Sequence, residues 1–195
     1  MAHFFTSLTD PELIQLLLNG AVGIIPTDTV YGLVAKADHQ KAIERLYQVK
    51  HRDQAPGTMI GHSTEVFERL GFPKAQLARV AQHWPAPLSV VLDATRIPNY
   101  LKQTRADLPV RIPNHVELLE LLSHTGVLMT TSANTPKSPT SRTINEAVAY
   151  FGDEIDFYVD AGDLGERPPS TIVGYDGDNL IVYRRGAVDP DDLKT

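Results

Sequence analysis

The chain contains no cysteine, which excludes disulfide staples, thiolate nucleophiles and cysteine-ligated metals. Its seven histidines are scattered, with neither the H-E-x-x-H pattern nor a paired spacing that would suggest zinc. No apolar run approaches the roughly 20 residues of a membrane-spanning helix, and the N-terminal "MAHFFTSLTDPE" has neither a basic leader nor a long apolar stretch. A cytoplasmic protein with no membrane partner is therefore expected. Positive charge is scarce too: 18 Lys and Arg against 24 Asp and Glu give a formal net charge of -6. That balance argues against coating nucleic acid by bulk attraction, while leaving room for a local basic groove. Aromatic residues make up 7%, a thin supply of stacking platforms for single-stranded RNA. The phosphate-cradling patterns G-x-x-x-x-G-K-[ST] and G-x-G-x-x-G are missing, and no G-x-S-x-G elbow marks a serine nucleophile.

What is present is a chain of 195 residues with 42% hydrophobic content, enough to bury one large core. The reading is one α/β domain over residues 1–188, followed by a short tail at 189–195. Thr9 and Glu12 have capping-box spacing, Pro11 suits a first turn, and "LIQLLLN" stops at Gly20, so a helix is expected there. Strand "AVGIIP" follows. Asp38 is the expected cap of "HQKAIERLYQVK", in which Ile43, Leu46, Tyr47 and Lys50 share helical spacing. "STEVFERLG" and "PKAQLARVAQHW" read as further helices. Strands "LSVVLD" and "LPVRIP" come next, then a helix "HVELLELLS" with Asn114 and Glu117 at its cap, a strand "VLMTT", and a helix "INEAVAYF" capped by Thr143 with Glu146. The end is β-rich: "DFYVD", "STIVGY" and "LIVYR", the last two joined as a hairpin around "DGDN". Strands and helices in this order predict a twisted, mixed, open sheet flanked by helices.

Two of these strands end abruptly in small polar residues: "GIIP" gives way to "TDT" and "VLM" to "TTSAN". Taken singly, each is best read as a turn, because Thr, Ser, Asn and Asp bond to their own backbone. Taken together they suggest a cleft, since α/β sheets gather binding groups at strand ends. The basic triplet Lys50, His51 and Arg52 stands where a helix runs out. Complementing the helix dipole is the ordinary role of such charges, but a following turn would let Lys50 and Arg52 project together as a point charge and a planar fork for phosphate. Arg111 lies inside an apolar strand, where an unpaired arginine is seldom buried; an edge position paired with a carboxylate is the simplest account. Arg184 ends the last strand.

"PTDTVYGL", "KHR", "VRIP", "SAN", "STIV" and "YRRGAV" together resemble, in order and spacing, the YrdC-like family of L-threonylcarbamoyladenylate synthases, over nearly the whole chain. The resemblance implies a nucleotidyltransferase that joins L-threonine, bicarbonate and ATP into threonylcarbamoyl-AMP and pyrophosphate, for transfer of the threonylcarbamoyl group to an adenosine of tRNAs that read codons beginning with A. It implies that Thr29, Arg111, Thr130 and Ser170 hold threonine. Lys50, Arg52, Ser132, Asn134, Ser138 and Arg184 would hold ATP, with Lys50 and Arg52 the catalytic cations. Mg²⁺ would arrive with the triphosphate, held largely by phosphate and water, and downstream tRNA threonylcarbamoyl-transfer proteins would be the partners. A site of fixed cations and hydroxyls fits a reaction that crowds three anions together.

The chain departs from the family pattern after the triplet. "QAPGTMIGH" puts Ala55 before Pro56 and Gly57 after it, with Ile60 at a place often held by histidine and His62 nearby, so a different loop path or weaker nucleotide binding is expected. Ala86 stands where the family favours glycine, a change the turn tolerates if its φ stays negative. Two rivals belong to other classes. Carbamoyltransferases that use the same fold carry zinc-finger parts, which a chain without cysteine cannot supply. A non-catalytic RNA-binding module with the same fold, making direct RNA contact, is the alternative, opposed by the net charge and the few aromatics.

Overall fold

The computed structural model describes residues 1–51 and 56–193. The first helix, α1 (Pro11–Leu18), begins where Asp10 accepts a hydrogen bond from the Glu12 N–H at 2.8 Å, with Pro11 in the first turn. Asp10 therefore takes the capping role expected of Thr9, which engages Ser7 instead. Helix α2 (Gln40–Val49) starts at His39 without a side-chain cap; Asp38 is drawn away by the ammonium of Lys36 two residues earlier. Helices α3 (Thr64–Leu70) and α4 (Lys74–Val80) follow as expected, and a short α5 (Asn99–Lys102) was not foreseen. Helix α6 (Val116–Thr125) is capped by the His115 ring, which accepts from the Leu118 N–H, rather than by Asn114. Thr143 caps α7 (Ile144–Phe151) as its spacing predicts.

Ten strands among the described residues form one mixed sheet: β1 (His3–Phe5), β2 (Gly23–Ile25), β3 (Gly32–Lys36), β4 (Thr58–Ile60), β5 (Leu88–Asp93), β6 (Asp107–Arg111), β7 (Leu128–Ser132), β8 (Phe157–Val159), β9 (Thr171–Asp176) and β10 (Asn179–Arg184). Their order is β1-β8-β2-β3-β7-β4-β6-β5-β9-β10. Parallel pairs (β1/β8, β2/β8, β4/β6, β5/β9) mingle with antiparallel ones. The two-residue period of a strand sends successive side chains to opposite faces, and both faces are covered. Ile24, Leu33 and Met59 join one apolar cluster with Ile43 and Leu46 of α2. Their neighbours Ile25, Val34 and Ile60 join another with Leu13 and Leu17 of α1 and Leu118 and Leu121 of α6. This is why the central strands read as continuous apolar runs rather than alternating ones. The β9/β10 hairpin turns at Gly177 (φ +56°), as "DGDN" predicts. At the chain's end, Pro190–Leu193 make a 3-10 turn with Pro190 and Leu193 buried.

Candidate active site

The cleft forms at the middle of the sheet, where the link from β2 to β3, the start of β4 and the ends of β6, β7 and β10 converge with the entry to β9. Of the residues singled out from the sequence, Thr29, Arg111, Thr130, Ser132, Ser170 and Arg184 line it. Its volume is about 150 Å³.

The "TDT" link divides its labour. Thr27 Oγ1 donates to the Val30 carbonyl at 2.7 Å and accepts from the Thr29 N–H at 3.1 Å. With its one proton spent, it receives the Thr29 hydroxyl proton across 3.0 Å. Thr29 Oγ1 is left with its lone pairs toward the cleft, where Arg111 Nη1 stands 3.5 Å away. The turn reading holds for Thr27 and the cleft reading for Thr29. Asp28 between them points inward: its Oδ1 lies 3.3 Å from Arg111 Nη2, and its Oδ2 accepts from the Asn114 N–H at 3.1 Å. Both side chains are almost wholly buried, at 4% and 3% exposure. Burial pushes the Arg111 guanidinium below its usual range, and the Asp28 carboxylate opposes that. The carboxylate partner expected for Arg111 is there, but the edge position is not, because β6 lies between β4 and β5.

Thr130 sits in β7 opposite Val34 and Thr58. Glycines let the chain close around it: a Cβ on Gly32 would stand 2.6 Å from Thr130 Oγ1, and one on Gly57 2.1 Å from the Thr130 carbonyl oxygen. Ser170 is 4% exposed. The Arg184 fork holds it, donating from Nε and Nη2 to the Ser170 carbonyl (3.0 and 2.7 Å) and from Nη2 to its hydroxyl (3.0 Å), and Ser89 Oγ adds a 3.0 Å bond to the same hydroxyl.

Lys50 ends α2 but does not project beyond it, as the basic triplet suggested. It is 4% exposed and turns back to donate to the Ser132 carbonyl and to the carbonyl and side-chain oxygen of Asn134. Ser132 Oγ donates to the same Asn134 Oδ1 at 2.7 Å, and Asn134 Nδ2 donates to the Ser138 carbonyl at 2.6 Å. Ser138 Oγ pairs with Thr135 Oγ1 at 2.9 Å. Asn134 and Ser138 thus form a turn beside the cleft, which Lys50 holds from the end of helix α2 and Ser132 joins to the cleft. His51 is exposed, with its backbone in the left-handed region (φ +47°). Arg52 and Ala55 lie outside the described residues. Farther on, Ile60 is fully buried and His62 Nδ1 sits 3.2 Å from the Leu122 carbonyl of α6; neither lines the cleft. Ala86 keeps out of the left-handed region, and its N–H donates to Ile112 O at 3.0 Å.

Sequence reading passed over Asp28, Ser89 and Tyr31. The Tyr31 hydroxyl donates to Gly162 O and accepts from the Ala161 N–H, both at 2.9 Å, tying the segment after β8 to the cleft. Asp28 had a signal, since an arginine in an apolar strand calls for a carboxylate; Ser89 lies within an apolar strand and gave none. Among the described residues, no group of three or more His, Cys, Asp or Glu side chains could hold a metal, and no helix is long and apolar enough to cross a membrane. Among the described residues, the cleft is lined by hydroxyls and two arginines and by no carboxylate, with Asp28 behind it committed to Arg111, a set built to receive anions.

A family model, Sua5_yciO_yrdC, described as "Telomere recombination", matches residues 15–186. The threonylcarbamoyl-AMP synthase of Pseudoalteromonas translucida (strain TAC 125) is 32% identical over 178 residues, covering 88% of this chain and 94% of that protein. Among solved structures, Sua5 of P. abyssi complexed with L-threonine superposes with a TM-score of 0.86 at 23% identity, and this chain, covered in full, spans 60% of that longer one. E. coli YciO superposes at 0.82 with 22% identity over 97% of this chain and 98% of its own. At those identities the superpositions establish the fold, while the family match over most of the chain and the 32% identical relative establish descent. The chain belongs to the Sua5/YciO/YrdC family.

Proposed function

We propose that the protein is a threonylcarbamoyl-AMP synthase, making threonylcarbamoyl-AMP and pyrophosphate from L-threonine, bicarbonate and ATP. The observation that carries this is the buried Arg111 guanidinium, set among the hydroxyls of Thr29, Thr130 and Ser170 and adjoining the lysine-bound Ser132–Asn134 turn. Arg111 offers the carboxylate of threonine a planar, charge-assisted partner; the surrounding hydroxyls and the neighbouring threonine methyls receive its side chain. At about 150 Å³ the cleft is smaller than the roughly 300–1,000 Å³ of a typical ligand pocket. An amino acid fills its floor, and the nucleotide extends over the mouth toward Ser132, Asn134 and Ser138. The reaction needs the threonine amine to become a carbamate with the carbon of bicarbonate, with loss of water. A carbamate oxygen then displaces pyrophosphate at the α-phosphorus. Neither step requires a protein nucleophile, so the residues contribute by holding three anions in line and offsetting their charge.

Mg²⁺ fits this donor set only as a passenger on ATP, held by phosphate oxygens and water, since no carboxylate lines the cleft among the described residues and Asp28 is engaged with Arg111. The product is a reactive mixed anhydride; tRNA threonylcarbamoyl-transfer proteins of the cytoplasm consume it. Purified protein given labelled bicarbonate, threonine and ATP should release a labelled adenylate and pyrophosphate only when all three are present. Pyrophosphate released equally without threonine would make it a nucleotidase and overturn the reading. RNA binding with no response to threonine would favour the non-catalytic module instead.

A further inference from the structure

We infer that Lys50 is a positioning residue, which clamps the Ser132–Asn134 turn into its binding shape, rather than a ligand of ATP phosphate. An ammonium has three N–H donors, and three oxygens of this one turn face it: the Ser132 carbonyl, the Asn134 carbonyl and Asn134 Oδ1, the last at 2.6 Å. The lysine is 4% exposed and is absent from the residues that line the cleft, whereas Ser132 is among them. Burying an ammonium is costly unless its donors are met, and this turn meets them with the Ser132 carbonyl, the Asn134 carbonyl and Asn134 Oδ1, three charge-assisted bonds that a phosphate could win only by breaking them. The clamp also fixes the Asn134 amide. Its Oδ1 accepts from Lys50 and from Ser132 Oγ, while its Nδ2 donates to Ser138 O, so one side chain links helix α2, the end of β7 and the loop beyond it. Lys50 thereby sets where the Ser132 and Ser138 groups stand before any nucleotide arrives. A lysine at the end of a helix would serve the dipole equally well from solvent; its inward turn is what that role does not explain.

The inference rests on the proposed synthase reading for its consequence, but its geometry can be tested without it. In the ligand-free protein labelled with ¹⁵N, a clamped ammonium is shielded from water exchange, so Lys50 should give a resolved NH₃⁺ signal that Lys50→Arg removes. The signal should move little when ATP is added. Absence of the signal in wild type, or a large displacement by ATP with none by threonine, would overturn the clamp. Affinity for ATP, measured by titration with wild type, Lys50→Ala, Asn134→Ala and the double variant, then tests the route of action. Residues that work as a unit are non-additive. Each single change should weaken ATP by about tenfold, and the pair by no more than about threefold beyond the worse single change. Multiplying losses, about a hundredfold in the pair, would make Lys50 an independent phosphate ligand. Should Lys50→Ala fail to fold, Lys50→Met, which keeps the apolar stem, takes its place in the cycle. A protein with the shielded signal and no synthase activity would leave the clamp standing and sink the functional reading alone.

Discussion

The two sides of the cleft are built in different ways. On the side proposed to hold threonine, Thr29, Arg111, Thr130 and Ser170 are 3–6% exposed, and side chains from distant parts of the chain hold one another: Arg111 with Asp28 and Thr29, Ser170 with Ser89 and Arg184. On the side proposed to hold the nucleotide, Ser132, Asn134 and Ser138 are half-buried and lie within seven residues of one another, and their bonds go largely to the local backbone and to Lys50. A wall of interlocked buried groups is preorganised and expensive to disturb. A wall made from one turn is cheaper to disturb, and its loss should show in binding before it shows in stability. That contrast sorts the expected effects of mutation.

The largest effect is expected at Arg111. Arg111→Ala leaves the Asp28 carboxylate buried with its ion partner gone, a change that costs about 3–5 kcal/mol, or on the order of 10 °C in melting temperature for a domain of this size, with loss of the threonine response. Adding Asp28→Ala to that variant should recover part of the stability but none of the activity. If Arg111→Ala melts like wild type, the interlocked wall is not what the geometry makes it. Asn134→Ala is the matching test of the other wall. ATP affinity should fall about tenfold while the melting temperature moves by no more than about 4 °C. A large loss of stability with unchanged activity per folded molecule would show that the turn is only scaffold.

Arg184 stands between the two walls, since its fork grips Ser170 while its own side chain lies at the rim. Arg184→Lys keeps the charge and loses the fork. At this exposed site about 1 kcal/mol, or fivefold in threonine affinity, is expected, with little change in melting. The smallest effect concerns pH and lies outside the cleft. The Tyr158 hydroxyl, fully buried and donating to Gly152 O at 2.7 Å, has its pKa raised from 10.0 to about 12, first by burial and then by Asp153 and Glu154. The folded state holds that proton more tightly than the unfolded one. Its stabilising contribution is therefore complete below pH 10 and declines as pH rises toward 12. Thermal melts across that window should fall, and Tyr158→Phe should flatten part of the fall while losing about 0.5–1.5 kcal/mol at neutral pH through the missing hydrogen bond. An identical alkaline decline in Tyr158→Phe would assign it to other groups, the raised Tyr31 and Tyr100 hydroxyls being next.

Where the sequence was readable, the signal was local. The long helices and most strands stand in their periodicity, the Thr143 cap in its spacing to Glu146, and the β9/β10 turn in its glycine. Three of the four expected caps moved by a residue or lost their bond, because a neighbour competed: Asp10 for Thr9, Lys36 for Asp38, the His115 ring for Asn114. The elements β1, β4 and α5 span three or four residues each, too short to display a period, and exist because the rest of the fold offers them a partner.

The sequence by itself determined that this is an α/β chain whose apolar strands end in hydroxyls, and the ordered motifs pointed to the family. Only tertiary structure decided that β6 runs through the interior, so that Arg111 needed Asp28 rather than water, and that Lys50 folds back onto Asn134 some eighty residues away. Charge and hydroxyl content are properties of the chain. Which oxygen an ammonium meets is settled by packing, because a buried donor must be satisfied by whatever the fold brings within reach.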